Sequence, residues 1–280
     1  MKKLYILIAI LFLTGCSAKF AYRNIDWLVY WYLDEYIELT DEQQDVFEVK
    51  LNKWLDWHKQ NELPKYVSQL DLLAQDIIDQ NISAQRIDYH RDEARAHWVR
   101  LRAYITPDLV QMAPMLSPEQ ITYLFAALEK ENLERQEELD ENAQDSANER
   151  TEDRLKRTLK ETKRWLGKLT TEQETMIENT LPQFHSNGTL WLEYRRAYQN
   201  QLRALFAQPD RGSEFAQSLS VLLTQPEQFR SQALQIRNDE NSNAYVNMLL
   251  TLAVLSTEKQ RQHVKKEISE FSKDLTDLMN

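Results

Sequence analysis

The chain has 280 residues, 42% of them apolar and 28% charged, a balance that suits a globular protein and excludes a disordered or fibrous one. Its formal net charge is −10 at pH 7, more negative still once Lys2 and Lys3 are removed, and so acidic a chain is no candidate for gripping nucleic acid, which needs clustered Lys and Arg. With four glycines in all and no stretch of apolar/polar alternation between turn residues, strands are not expected and the fold class is all-α.

Residues 1–15 read as a lipoprotein signal peptide. Lys2 and Lys3 form a basic start, Leu4 to Leu13 an apolar run too short to remain in a bilayer as a helix, and Leu13-Thr14-Gly15-Cys16 a lipobox that ends on the only cysteine. An ordinary secretory peptide with a cysteine there by chance is the other reading. Resemblance to bacterial lipoproteins implies a diacylglycerol thioether on Cys16, cleavage before it, and a further acyl chain such as palmitate on the new amine. Each buried methylene contributes ~0.8 kcal/mol, so two or three chains anchor where one holds only marginally. Ser17, not Asp, follows the cysteine, which by the enterobacterial sorting rule points to the outer membrane and its periplasmic face. The mature chain then has no free thiol and no disulfide.

A short lipidated tether, residues 16–19, leads into a first predicted helix from Phe20 to Glu38, with Trp27, Tyr30, Trp31, Asp34 and Ile37 at helical spacing. Thr40 and Gln43 form a capping box that starts a second helix running to Asn61, whose inward face is Phe47, Leu51, Trp54, Leu55 and His58. Glu62-Leu63-Pro64 breaks it, and a third helix carries Tyr66, Leu70, Leu73 and Ile77. Ser83 caps a fourth from Ala84 to Ile105, and Thr106-Pro107 opens a short fifth. Nothing from Glu119 to Leu166 is glycine or proline; if continuous, that helix would reach about 70 Å. Its middle, residues 140–153, is almost wholly polar, either a solvated helix or a linker, and divides an N-terminal half (20–139) from a C-terminal half (154–280). Gly167 ends that segment as a C-cap, and helices follow from about Thr171, Thr189, Phe215, Phe229, Ala244 and Thr257. The expectation is an elongated bundle of about ten helices.

The phrase Leu-Ser/Thr-x-Glu recurs at Leu39, Leu116, Leu169 and Leu255, and in the first three it completes a capping box with Gln43, Gln120 and Gln173, whereas the fourth has Lys259 in the glutamine's place. Tyr66-x-x-Gln69-Leu70-x-x-Leu73 also parallels Tyr198-x-x-Gln201-Leu202-x-x-Leu205. The echoes keep the same order in both halves, as two related halves would produce; recurrent capping boxes in any helical protein are the equal alternative.

Asp26-Trp27-Leu28, Trp31-Tyr32-Leu33-Asp34-Glu35-Tyr36, Leu39 to Gln43, Trp57-His58 and Glu62-Leu63-Pro64-x-Tyr66 together resemble a family of uncharacterised proteobacterial lipoproteins with a domain of unknown function, over about residues 16–66. The resemblance implies an all-helical lipoprotein and no particular activity. The Leu-Thr-x-x-Gln phrases also resemble those of the Spy and CpxP periplasmic chaperones, though a capping box accounts for the same five residues without ancestry.

Chemistry has one candidate place. His58 lies on the inward face of the second helix, where Asp26, Asp34 or Glu35 could meet it across the hairpin and form an acid/base pair; a structural histidine–carboxylate pair is the blander reading. His90 and His97 lie about 10 Å apart along one helix, too far to share a metal. No zinc-protease, serine-hydrolase, P-loop or dinucleotide motif occurs, so no cofactor or metal is expected. Trp27, Trp31, Trp54 and Trp57 are the candidate partner-binding residues, and the favoured reading is a membrane-tethered binding or scaffold module for an envelope protein or client chain.

Overall fold

The computed structural model describes residues 15–279, with side chains from Lys19 onward, so the signal reading of residues 1–14 lies outside the described residues. Within them the chain is α-helical with short 3-10 turns and contains no strand. In chain order the helices are α1 (Gly15–Arg23), α2 (Ile25–Leu33), α3 (Asp41–Asn61), α4 (Leu63–Ile78), α5 (Ala84–Met112), α6 (Pro118–Gln144), α7 (Ala147–Leu166), α8 (Thr171–Thr180), α9 (Gly188–Phe206), α10 (Ser213–Thr224), α11 (Gln232–Leu255) and α12 (Glu258–Met279). None is long and apolar enough to cross a membrane.

Two predicted boundaries are corrected, and a third that the sequence left open is resolved. The first helix breaks at Asn24, whose side-chain amide donates to Phe20 O and competes with the helical ladder, and it ends at Leu33. The predicted break at Pro107 does not occur: α5 runs straight through, because Asp108 just beyond is buried and held by Lys50, Lys53 and Trp54, and that anchorage outweighs the hydrogen bond proline removes. The segment from Glu119 to Leu166 is not one helix. It turns at Asp145, and Ser146 restarts it through a capping box with Glu149, with residues 140–153 exposed to solvent throughout.

The halves are packed into each other. α12 lies antiparallel along α4, Leu275 and Leu278 meeting Leu63 at one end, Val264 and Ile268 meeting Ala74 at the other. In the N-terminal half Phe47, Leu51 and Trp54 of α3 form a core with Tyr30 and Leu33 of α2 and Tyr104 to Met112 of α5. Each large apolar side chain so buried contributes roughly 1.5–3 kcal/mol. In the C-terminal half Leu205, Phe215, Leu219 and Leu222 pack with Ala113, again crossing between halves. The turn after α2 is stapled to the rest by the Tyr36 hydroxyl, which donates to Glu131 of α6, itself paired with Arg195 of α9.

The capping boxes do more than cap. At α3 the Gln43 backbone N donates to Thr40 Oγ1 while Gln43 Oε1 accepts from Thr40 N, and Ser117 and Gln120 repeat this at α6. The two glutamines then face each other. Gln43 Nε2 donates to Gln120 Oε1 and Met115 O, and Gln120 Nε2 donates to Gln43 Oε1 and Glu38 O, at 2.6–3.0 Å. Each amide thereby fills both donor and both acceptor positions. The second half contains the same construction: Gln173 Nε2 donates to Gln260 Oε1 and Leu255 O, and Gln260 Nε2 donates to Gln173 Oε1 and Lys168 O, at 2.9–3.1 Å. Here the fourth box corrects the sequence reading. It is Thr257 with Gln260, one residue further along than the Ser256 frame, so all four boxes are complete. In every case the carbonyl taken from across the clasp belongs to the residue two before the cap, a regularity that local capping preference alone does not require.

Gln173 is fully buried, and its loss strands Leu255 O, Thr170 N and the Gln260 amide at once. Gln173→Ala is expected to cost about 3 kcal/mol in urea unfolding. A double-mutant cycle should give at least ~1 kcal/mol of coupling between positions 173 and 260, while positions 43 and 173, in different clasps, add independently within ~0.5 kcal/mol.

Candidate functional site

His58 occupies the centre of a polar group between α1, α3, α4 and α5, but not with the predicted carboxylates. Its Nδ1 is 3.1 Å from the Tyr22 hydroxyl and its Nε2 3.1 Å from the Tyr66 hydroxyl. Burial, helped by the neighbouring His97, lowers its pKa, with Glu62 opposing, so the ring is neutral: one nitrogen accepts from a tyrosine and the other donates to one. Burial also pushes both tyrosine hydroxyls up to about 12, and they stay protonated. Asp26 and Asp34 are exposed, and the carboxylate that acts on His58 is Glu62, not Asp26, Asp34 or Glu35. The acid/base pairing expected across the hairpin is therefore replaced by tyrosines, because the break at Asn24 turns Tyr22 and not the acids toward α3.

Sequence reasoning missed Glu62. It sits at the junction of α3 and α4, with no exposed surface, and receives Arg100 Nε at 2.8 Å and Nη2 at 2.9 Å, Lys65 Nζ at 2.8 Å and His97 Nδ1 at 3.1 Å. Burial raises its pKa, but the hydrogen bonds from Arg100, Lys65 and His97 outweigh that and hold it at about 2. The group continues along α4. His97 Nε2 faces Gln69, Gln69 Nε2 donates to His90 O, and His90 Nε2 lies 2.8 Å from Asp76, which also takes Arg86 and Asn81. Asp76 is held low against its burial by these partners, as is Asp108 by Lys50, Lys53 and the Trp54 indole. His90 and His97, read from sequence as too far apart to share an ion, each have a carboxylate of their own. Among the described residues no group of three His, Cys, Asp or Glu is placed to hold a metal. The polar row could have been suspected from the spacing Arg86, His90, His97, Arg100 along one helix; its acidic partners, Glu62 at the α3–α4 junction and Asp76 on α4, carry no local signal.

The four candidate tryptophans separate. Trp54 is buried in the core, and Trp57 stacks on Tyr104 with centroids 4.2 Å apart. Trp31 stacks on Trp27, which is 61% exposed. A second aromatic surface lies where α5 meets the C-terminal helices. Arg91 bonds Ser242 across this join, Arg102 pairs with Glu227, and the Arg230 guanidinium lies over the Trp191 and Tyr194 rings at 5.3 and 6.0 Å. Tyr89, Trp98 and Val99 on α5 and Ile236 and Tyr245 on α11 stay exposed. Two open clefts lie nearby, of about 500 and 440 Å³; the first mixes Gln201 and Gln217 with Leu205, Val221 and Phe229, the second is polar, with Asn238 and Asp239, and neither is lined by His58 or Glu62.

Glu62, Asp76 and Asp108 all have folded pKa values below their unfolded ones, so the unfolded chain binds protons more tightly. Their stabilisation is complete above about pH 4.5 and lost as pH falls through the folded values, which for Glu62 is about 2. Acid unfolding should start near that upper limit. Arg100→Ala should move its midpoint to higher pH and cost about 3 kcal/mol at pH 7, the low end for a broken buried pair because Lys65 and His97 remain. Lys156→Ala, on the exposed face of α7, is the control that should leave both unchanged.

No curated protein and no solved structure matches the chain. A family model matches residues 35–235, far beyond the stretch to residue 66 that carried the resemblance, and it starts after Asp26-Trp27-Leu28. The matched region holds the Glu62 group except Tyr22, and the whole first clasp. Because that match runs over most of the chain, the protein belongs to the family described as a family of unknown function, DUF6279.

Proposed function

We propose that the protein is a lipoprotein of the outer membrane, tethered on the periplasmic side through acyl chains on Cys16, whose helical body is a binding and scaffold module for an envelope protein or client chain. The tether rests on the lipobox and on Ser17 after the cysteine. Binding rests on one observation: at the join of α5 with α11 the chain leaves Trp98 56% and Tyr245 46% exposed beside a row of arginines. Aromatic and arginine side chains are the residues that carry binding energy at protein interfaces. An acid/base enzyme built on His58 draws no support from a ring whose nitrogens both face tyrosine hydroxyls.

Metabolic labelling with an alkynyl fatty acid should mark the wild type and leave Cys16→Ala unmarked; label persisting in the variant would refute the tether. For binding, a photoreactive residue at position 98 in intact cells should give a discrete adduct with one envelope protein, which co-purifies with the wild type and is lost from Trp98→Asp. A reactive residue at Val49, exposed on α3, is the reference. Adducts at 98 no different from those at 49 would remove the support for binding.

A further inference from the structure

Among the described residues the two most exposed large aromatic side chains are Phe20 and Trp27, 70% and 61% exposed. They stand on α1, which contains Cys16, and on α2, either side of the break at Asn24 and with exposed Arg23 between them, and all three are turned away from the side of α1 and α2 that packs on the body. The inner face is fixed to the body. Lys19 pairs with Asp277 at 2.7 Å, Tyr22 reaches His58 and packs among Leu63, Leu275 and Leu278, and Val29, Tyr30 and Leu33 pack on Phe47, Leu51 and Trp54. Two exposed aromatic side chains on helices fixed to the body make this face a candidate for docking, and chain continuity points to what it would dock on. Phe20 lies four residues, about 6 Å, along α1 from Cys16, and Trp27 stands in the first turn of α2, just past the break at Asn24. Tryptophan and other aromatic rings settle at the headgroup layer, apolar enough to leave water and able to keep a polar edge in it. Arg23 and the exposed Asp26 balance in charge, which leaves the rings and not electrostatic attraction to hold this face down.

We propose that the outer face of α1 and α2 lies on the bilayer that holds the Cys16 lipid, with Phe20 and Trp27 among the headgroups. The body is thereby set at one orientation and does not swing on its tether. This rests on the lipoprotein reading, and the test separates the two. The full chain is reconstituted with vesicles of phosphatidylethanolamine and phosphatidylglycerol, with and without brominated acyl chains, and the emission of Trp27→Phe is subtracted from that of the wild type. Bromine should remove most of the Trp27 emission, and aqueous iodide little of it. An environment-sensitive fluorophore on Phe20→Cys should shift to the blue on the same vesicles. Trp27 emission untouched by bromine and open to iodide, with no shift at position 20, overturns the docking while the protein still sediments with the vesicles. If the protein does not sediment with them at all, the tether and the docking fall together.

Discussion

The fold depends on a hydrogen-bonding constraint met twice: a glutamine that caps its own helix and, with the same amide, closes on the cap of another. A capping box alone satisfies two backbone amides of one helix. When Gln43 and Gln120 also exchange bonds with each other and take Met115 O and Glu38 O, the starts of α3 and α6 can sit in only one relation. Any slip leaves buried amides without partners, at a cost each apolar contact could not offset alone. The apolar cores tolerate small shifts; these amide pairs do not. Gln173 and Gln260 impose the same on α8 and α12.

The buried carboxylates follow from that placement. With α3 and α6 fixed, α4 and α5 form the hairpin between them, and Glu62 at the α3–α4 junction has no route to water. Its charge is tolerable only because Arg100, Lys65 and His97 come with it; Asp76 is met likewise by Arg86 and His90 of α5, and Asp108, on α5, by Lys50 and Lys53 of α3. Replacing such groups by apolar ones of equal volume is often neutral in stability. What they supply is register, since α4 can pass α5 only where each acid meets its own base.

The helices and most of their boundaries were legible because caps and turn residues act locally: Thr40, Ser83, Ser117, Thr170 and Gly167 sit where the sequence places them. Gly167 takes φ of 72°, a conformation that side chains resist. The failures are non-local. Pro107 reads as a stop until Asp108 is seen bound by α3, and Ser256 reads as the cap until Gln260 is seen paired with Gln173. His58 was rightly placed on an inward face, but its partners depend on a one-residue kink at Asn24 and on α4, neither of which periodicity discloses.

These constraints meet in α12. It opens with Thr257 and Gln260 in the second clasp, runs antiparallel along α4, and near its end carries Asp277, which holds Lys19 at the root of the chain. The clasp and the root thus stand at opposite ends of a single helix about 33 Å long. A helix is stiff along its axis, and this one is packed along that length by Val264, Ile268, Leu275 and Leu278. Whatever direction α1 takes is therefore transmitted to the C-terminal helices without an intervening hinge, and the aromatic join of α5 with α11 stands at a fixed angle to α1. A scaffold that had to present one surface to a partner at a set distance from a membrane would need that rigidity, and it would be lost first by opening the clasp, not by thinning the core.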